Sequence, residues 1–536
     1  MSKGNRKQTF LGGAAVLALA TAIVKVIGAC YKIPLQQVIG IDGYGYFTTA
    51  YDIYSVLLMI STTGLPVAMS RMISEASTLG RTNQIKRVYK VSLYAFLAPG
   101  IIGAAGMLFL CRQLAAMMGQ PEAWFAIACL APAVLFISLI SAFRGFFQGQ
   151  SNMVPTSMSQ IIEAVCKLFV GLAAAYLIGK KTGSIIYAAG GAILGVTLGT
   201  VVGAIYLGIK YRGASRELPE SCPDPTVFSH RSTLKTLLSI AIPITLGATG
   251  MQLISVVDAA VLMHRLKGAA GFAAEQANLA KGIYNFTQTI FNLPCAFITP
   301  LTVSVIPAIT EHLTLKNNRG ARMVEESSLR VMSLIAMPCA IGLAVLSGPI
   351  LQLLGGSGYT GETLKTGSVL LSILGIAVIF NSFVLVVNAI MQAHGYVYLP
   401  VINMLIGGIV KIIVNFFLIG IPSINVVGAP IGTLACYLTI TALNIFTMHR
   451  VLKKPPRLVS NLFKPLMASL LMGAAAWVSN SLLLKTGLST SICCLAAIAV
   501  AGIVYIILVY AMRIITLDDC RLLPKGDKIA KILRIH

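Results

Sequence analysis

The sequence predicts an all-α polytopic membrane protein of about 14 transmembrane helices, with two six-helix lobes in parallel repeat and two further C-terminal helices. Three observations predict it. Of the 536 residues, 57% are hydrophobic and only 11% charged, whereas a water-facing surface needs roughly 25% charged residues. The apolar residues gather into stretches of about 20, the helical length that crosses a hydrocarbon core of roughly 30 Å. Lysine and arginine crowd into alternate connecting segments.

The stretches fall near 10–31, 44–67, 88–110, 123–143, 154–178, 184–209, 236–262, 282–309, 329–350, 366–391, 399–420, 427–448, 463–484 and 489–512. Backbone groups in lipid must be satisfied within their own segment, so these are helices, and the ten-residue alternation of barrel strands is missing. The first stretch follows Lys3, Arg6 and Lys7 as a signal peptide would, but it runs apolar beyond that length and carries Lys25. It reads as a retained helix. The 11 cysteines, an odd number, include Cys30, Cys129, Cys166, Cys436 and the Cys493–Cys494 pair within spans. They show no metal-ligand spacing, so the expectation is buried thiols, with no metal and no cofactor.

A formal charge of +24 in a soluble chain would suggest nucleic acid, but its placement here speaks of topology. With the N-terminus inside, the inner loops and ends hold 29 of the 41 Lys and Arg and the outer loops 9. That asymmetry orients both termini to the cytoplasm by the positive-inside rule, and no nucleic-acid partner is expected.

The chain also repeats itself. Gln148–Gly149, Pro155 and Lys167 match Gln392–Ala393, Pro400 and Lys411, and Gly191 to Gly195 echoes Gly428 to Gly432. The offsets are 245 residues for the prolines and 237 for the glycine segments. Six helices per unit, an even number, insert both units the same way up, as in parallel-repeat transporters. The expected division is an N-terminal six-helix lobe over 1–210, a cytoplasmic linker over 211–235, a second lobe over 236–450, and two extra helices with a basic tail over 451–536. No segment outside the spans is long enough to fold alone. Such an architecture suits moving something by rocking one lobe against the other.

Ionisable groups at bilayer depth are costly unless paired or facing a wet interior, so each is a site candidate. Lys25, Asp52, Glu163, Lys167, Asp258 and Lys411 lie within spans, and Arg71, Arg144 and Arg265 lie near helix ends. The structural alternatives are specific. Glu163 and Lys167 stand at i and i+4 with the acid first, the favourable order for an ion pair on one helix. Lys25 and Asp52 can pair across helices one and two, and Arg71 fits a snorkelling anchor as well as a ligand. Lys411 has no acid within a turn along the sequence and repeats the position of Lys167. Lys25, Lys167, Lys411, Arg71, Arg144 and Arg265 are therefore the substrate-binding candidates, and Asp52, Glu163 and Asp258 the coupling or ion-pair candidates. The net basic set points to an anionic substrate. Prolines 66, 243, 294, 300 and 307 mark bends, and Gly40 to Gly45 an external turn.

Gly64-Leu65-Pro66-Val67-Ala68-Met69-Ser70-Arg71 resembles the signature of the stage V sporulation protein B family. So do Arg144 to Thr156, followed by Ser159-Gln160-Ile161-Ile162-Glu163, and Ile242 to Thr245 with Asp258 and Arg265 further on. The resemblance runs along essentially the whole chain. That family belongs to the multidrug/oligosaccharidyl-lipid/polysaccharide exporter superfamily and is related to the lipid II flippases. The resemblance implies two six-helix lobes plus two C-terminal helices in a bacterial cytoplasmic membrane. It also implies transport of an undecaprenyl-pyrophosphate-linked saccharide from the inner to the outer leaflet, among membrane lipids and alongside cell-wall synthesis enzymes. In lipid II flippases basic residues of helices one, two and eight line the cavity. Here Lys25 stands at the first helix-one position, Lys32 lies one or two positions from the second, and Lys281 is helix eight's basic residue.

The expected function is therefore a lipid-linked cell-wall saccharide flippase, a transporter and not an enzyme, working by alternating access. A cation-coupled multidrug exporter of the same superfamily would place acids such as Asp52 and Asp258 in its cavity. A membrane-embedded glycosyltransferase would need an exposed carboxylate base, for which Asp42 and Glu362 are the isolated candidates.

Overall fold

A computed structural model of the chain describes residues 10–216, 228–452 and 455–514. The basic N-terminus with Lys3, Arg6 and Lys7, residues 217–227 of the expected 211–235 linker, Lys453, Lys454 and the basic C-terminal tail lie outside the described residues. Among the described residues there is no β-strand. Sixteen α-helices follow one another: α1 (Phe10–Thr62), α2 (Gly64–Thr78), α3 (Thr82–Phe109), α4 (Cys111–Met117), α5 (Trp124–Gly149), α6 (Val154–Thr182), α7 (Ile185–Arg216), α8 (His230–Lys267), α9 (Ala274–Thr314), α10 (Asn318–Val345), α11 (Ser347–Gly355), α12 (Gly361–Ala393), α13 (Tyr398–Ile419), α14 (Gly428–Val451), α15 (Leu458–Leu484) and α16 (Thr490–Ala511). Among the described residues eleven helical stretches are long and apolar enough to cross a membrane. Taking the two arms of α1 separately and adding α8 and α9, 38 and 41 residues long, is compatible with the fourteen expected crossings.

The departures from the expected boundaries have local causes. The arms of α1 meet at Gly40, whose φ of 73° and ψ of 177° are open to glycine at little cost. The second arm stops at Thr62 and α2 begins at Gly64, so the expected 44–67 stretch is broken. Pro66 supplies no N–H and its ring excludes a continuous helix through the preceding turn, whereas in the first turn of α2 it is tolerated. Gly64 sits at a close approach, because a Cβ there would overlap the Ala241 carbonyl and Thr245 Oγ1 of α8.

The chain forms two compact units, Met1–His264 and Arg265–His536. In the first, α6 and α7 lie backbone to backbone. Gly191, Gly195, Gly199 and Gly203 recur every fourth residue and so share one face of α7. A Cβ on Gly195 would overlap the Gly171 backbone, and one on Gly199 would press on the Glu163 carbonyl of α6. Small residues at such steps let membrane helices approach closely. Tyr31 of α1 uses the room left by Gly171, and its hydroxyl donates to the Ala192 carbonyl at 3.0 Å. Pro155 opens α6, and Gly183 closes it in the left-handed conformation (φ 63°) with its N–H on the Gly179 carbonyl at 2.9 Å. Elsewhere in the unit Tyr89 stacks on Tyr211 with ring centres 4.1 Å apart, against Phe143 and Phe146.

The second unit is tied by amides. Asn444 donates to Asn388 at 2.8 Å and Asn403 donates to Asn444 at 2.9 Å, joining α12, α13 and α14 within a buried core. Glu325 of α10, 2% exposed, meets His394 Nε2 after α12 at 2.7 Å. The Tyr505 hydroxyl of α16 donates to the Leu334 carbonyl of α10 at 3.0 Å.

The glycine contact between α6 and α7 generates a stability prediction. Gly195→Leu forces the helices apart and lowers the melting temperature of the detergent-solubilised protein, by about 1–3 kcal/mol of stability. Gly106→Ala on α3, where a Cβ meets nothing within 4 Å, leaves the melting temperature unchanged or slightly raised.

Candidate functional site

Ser159, Glu163 and Lys167 follow each other at four-residue steps on α6 and so share one face of it. Local spacing favours a Glu163–Lys167 pair, but α5 supplies a stronger partner. Arg144 Nη2 lies 2.5 Å from Glu163 Oε1. The same guanidinium donates from Nε and Nη2 to Ser159 Oγ at 3.1 and 2.9 Å, and Ser159 in turn donates to the Thr156 carbonyl at 2.8 Å. A planar fork with five N–H groups reaches both acceptors in one fixed geometry. The pair is largely withdrawn from solvent, with side chains 13% and 20% exposed. Gly203 of α7 leaves room for the carboxylate, since a Cβ there would come to 3.1 Å of it.

Lys167 turns instead to α1. Its Nζ donates to the Tyr51 hydroxyl at 3.0 Å and lies 4.5 Å from the centre of that ring and 5.1 Å from that of Tyr31. Two aromatic faces stabilise an ammonium without neutralising it. These groups wall a cavity of about 480 Å³, lined among others by Tyr51, Tyr54, Arg144, Gln160, Glu163 and Lys167. Its charged lining is two cations and one anion, so the cavity is net basic and suited to an anion.

The structure thus brings Arg144, Glu163 and Lys167 together. Asp52 is close enough to interact electrostatically with Lys32, as Lys167 does. Lys25 is exposed on α1, between the cavity-lining Val24 and Gly28. The remaining candidates lie elsewhere. Arg71 is exposed on α2, and Asp258 is buried on α8. Arg265, in the second unit, donates from Nε to the Phe416 carbonyl at 2.8 Å and stacks on that ring at 4.2 Å. Lys411 is half-buried on α13 and acts electrostatically on Tyr437. The second unit has a cavity of about 700 Å³, but its wall is mainly hydrocarbon, with Thr441, His449 and Arg457 as its polar members.

Tyr31, Tyr51 and Tyr54 carry no charge, so the cost of ions at bilayer depth does not single them out. A signal existed. Tyr44, Phe47, Tyr51 and Tyr54 fall at helical spacing on one face, with successive ring centres 5.5 to 6.0 Å apart. Lys32 follows Lys25 by seven residues, two helical turns, and the helix runs on beyond it.

A bundle of membrane-length helices with an internal repeat and a charged, half-enclosed cavity defines a multi-pass membrane transporter. The chain belongs to the polysaccharide biosynthesis protein family, whose model matches residues 10–313. Residues 243–417 also match the MatE family. Three similar proteins come from Bacillus subtilis (strain 168). The uncharacterized membrane protein YabM is 27% identical, over 99% of this chain and 98% of its own length. Stage V sporulation protein B is 25% identical over 97% and 98%, and the lipid II flippase MurJ 27% identical over 76% and 77%. Among solved structures, a lipid II flippase MurJ in an inward closed conformation superposes with a TM-score of 0.69 at 16% identity, covering 92% of this chain and 98% of that one. An inward-facing multidrug resistance MATE transporter of the MOP superfamily gives 0.63 at 13% identity, over 81% and 97%. The fold is the one these two transporters share.

The ion pair is open to a double-mutant test. Arg144→Met strands the Glu163 carboxylate and lowers stability by roughly 1–3 kcal/mol. Adding Glu163→Gln restores most of that loss, giving a coupling of about 0.5–3 kcal/mol in thermal unfolding of the four proteins. A double variant no more stable than Arg144→Met counts against the pairing.

Proposed function

We propose that the chain is a flippase that carries an undecaprenyl-pyrophosphate-linked cell-wall saccharide, lipid II or a related precursor, from the inner to the outer leaflet of a bacterial cytoplasmic membrane by alternating access. The observation that carries the reading is the cavity of the first unit, in which Arg144 and Lys167 outnumber Glu163. A diphosphate at low dielectric forms short, charge-assisted hydrogen bonds with a guanidinium and an ammonium. Tyr51 keeps Lys167 in place, and Gln148 and Gln160 on the same wall offer amides to sugar hydroxyls. In this reading the lipid tail stays in the bilayer, both termini are cytoplasmic, and Lys25, Arg71, Arg265 and Lys411 are each a candidate contact for an anionic head group. Cell-wall synthesis enzymes supply and consume the cargo.

The family model and the similarity to a stage V sporulation protein and a lipid II flippase over most of the chain support a lipid-linked saccharide as cargo. A basic cavity lining argues against an organic cation, for which unpaired acids and open aromatic faces would serve better.

Reconstituted in liposomes, the full-length protein moves labelled lipid II between leaflets. Lys167→Ala slows this roughly tenfold or more, as expected for one lost charge-assisted hydrogen bond, while its melting temperature stays near wild type. Translocation of organic cations down an ion gradient, with lipid II left in place, would transfer the protein to the exporter class.

A further inference from the structure

We propose that Glu163 is a resident counter-anion, which occupies Arg144 while the cavity is empty and yields it to the cargo phosphate on binding. The proposal rests on the flippase reading and explains a feature that reading leaves over, a carboxylate in a cavity meant for an anion. Arg144 is positioned without help from Glu163, since Ser159 holds both Nε and Nη2 and is itself fastened to the Thr156 carbonyl. The carboxylate is thus not needed to aim the guanidinium. What it supplies is charge.

A carrier that works by alternating access has to return empty. An arginine moved through that cycle with no counter-charge is costly in a low-dielectric interior. With Glu163 at 2.5 Å the empty site carries a neutral pair, and with cargo bound the phosphate supplies the negative charge instead. The displaced carboxylate is not abandoned. Tyr54 of α1, on the same cavity wall, lies within electrostatic range of both Glu163 and Arg144. Gly203 of α7 leaves the carboxylate uncrowded, since a Cβ there would come to 3.1 Å of it.

Competition between two anions for one cation has a definite signature. Removing the resident anion tightens cargo binding, because no fraction of the sites is already taken. It also hinders the empty return. A transporter so altered still exchanges cargo between leaflets, since exchange uses only the loaded carrier, but moves it poorly in net.

The test uses the full-length protein in liposomes with labelled lipid II as probe, and Glu163→Gln as an isosteric neutral variant. Two results are expected. The variant binds the probe about tenfold tighter, and its net clearance when probe starts in one leaflet falls at least about tenfold further than its exchange of labelled for unlabelled probe across the bilayer. Glu163→Asp restores net clearance in part. Equal loss of exchange and net clearance, or binding that is weaker or unchanged, overturns the proposal while leaving the flippase reading intact. A wild type that neither exchanges nor clears lipid II overturns the flippase reading itself, and the counter-anion role falls with it.

Discussion

An ion at bilayer depth has to keep a counter-charge, a dipole or water within reach, and the first unit is built around one answer to that constraint. Arg144 on α5 is shared by a hydroxyl and a carboxylate on α6. Because Glu163 is committed to α5, Lys167 is released to the tyrosines of α1. One pairing therefore decides the partners of three helices. It also leaves a cavity whose wall has a neutralised cation beside one that is merely cushioned by aromatic rings. The cavity thus carries one cation masked by a carboxylate and one held against tyrosines, with a net basic lining.

The glycine stripe of α7 makes this possible at the level of packing. With Gly195 against Gly171 and Gly199 against the Glu163 carbonyl, α6 is pressed onto α7 along the segment that carries the charged residues. Little space is lost to side chains on that side, so the bulk of the wall is contributed by α1 and α5. Tyr31 passes through the notch at Gly171 to reach the Ala192 carbonyl, which holds its ring beneath the Lys167 ammonium. Sequence composition, helix packing and site electrostatics are linked here by residues that have no side chain at all.

Much of the fold is legible in the sequence because lipid imposes a single rule, a long apolar stretch closed on its own hydrogen bonds. The breaks are legible where glycine or proline causes them, as at Gly40 and Pro66. The site is less so. Glu163 and Lys167, four residues apart, satisfy the local rule for an ion pair, while Arg144 lies nineteen residues from Glu163 across a helix turn-around. Nothing local says that the guanidinium wins. Only the packing of α5 on α6 does, together with Ser159, which orients the fork. Lys32, which the family resemblance brings forward, falls outside the apolar stretches for another reason. Its own charge ends the apolar stretch, yet the helix continues to Gly40 because backbone hydrogen bonding does not stop where hydrophobicity does.

The repeat sharpens the meaning of the ionic arrangement. A shift of 244 residues carries Arg144 onto Asn388, Ser159 onto Asn403 and Lys167 onto Lys411. At the positions where the first unit has a guanidinium and a hydroxyl, the second has two amides, joined through Asn444 into a chain of neutral hydrogen bonds. Amides complete each other's donors and acceptors without leaving charge, so that network holds three helices together and stays closed. The ionic version joins α5 to α6 through a guanidinium, a hydroxyl and a carboxylate, and so places charge at the same positions. At positions matched by the sequence repeat, the second unit thus has a clamp of neutral amides and the first a clamp of opposite charges.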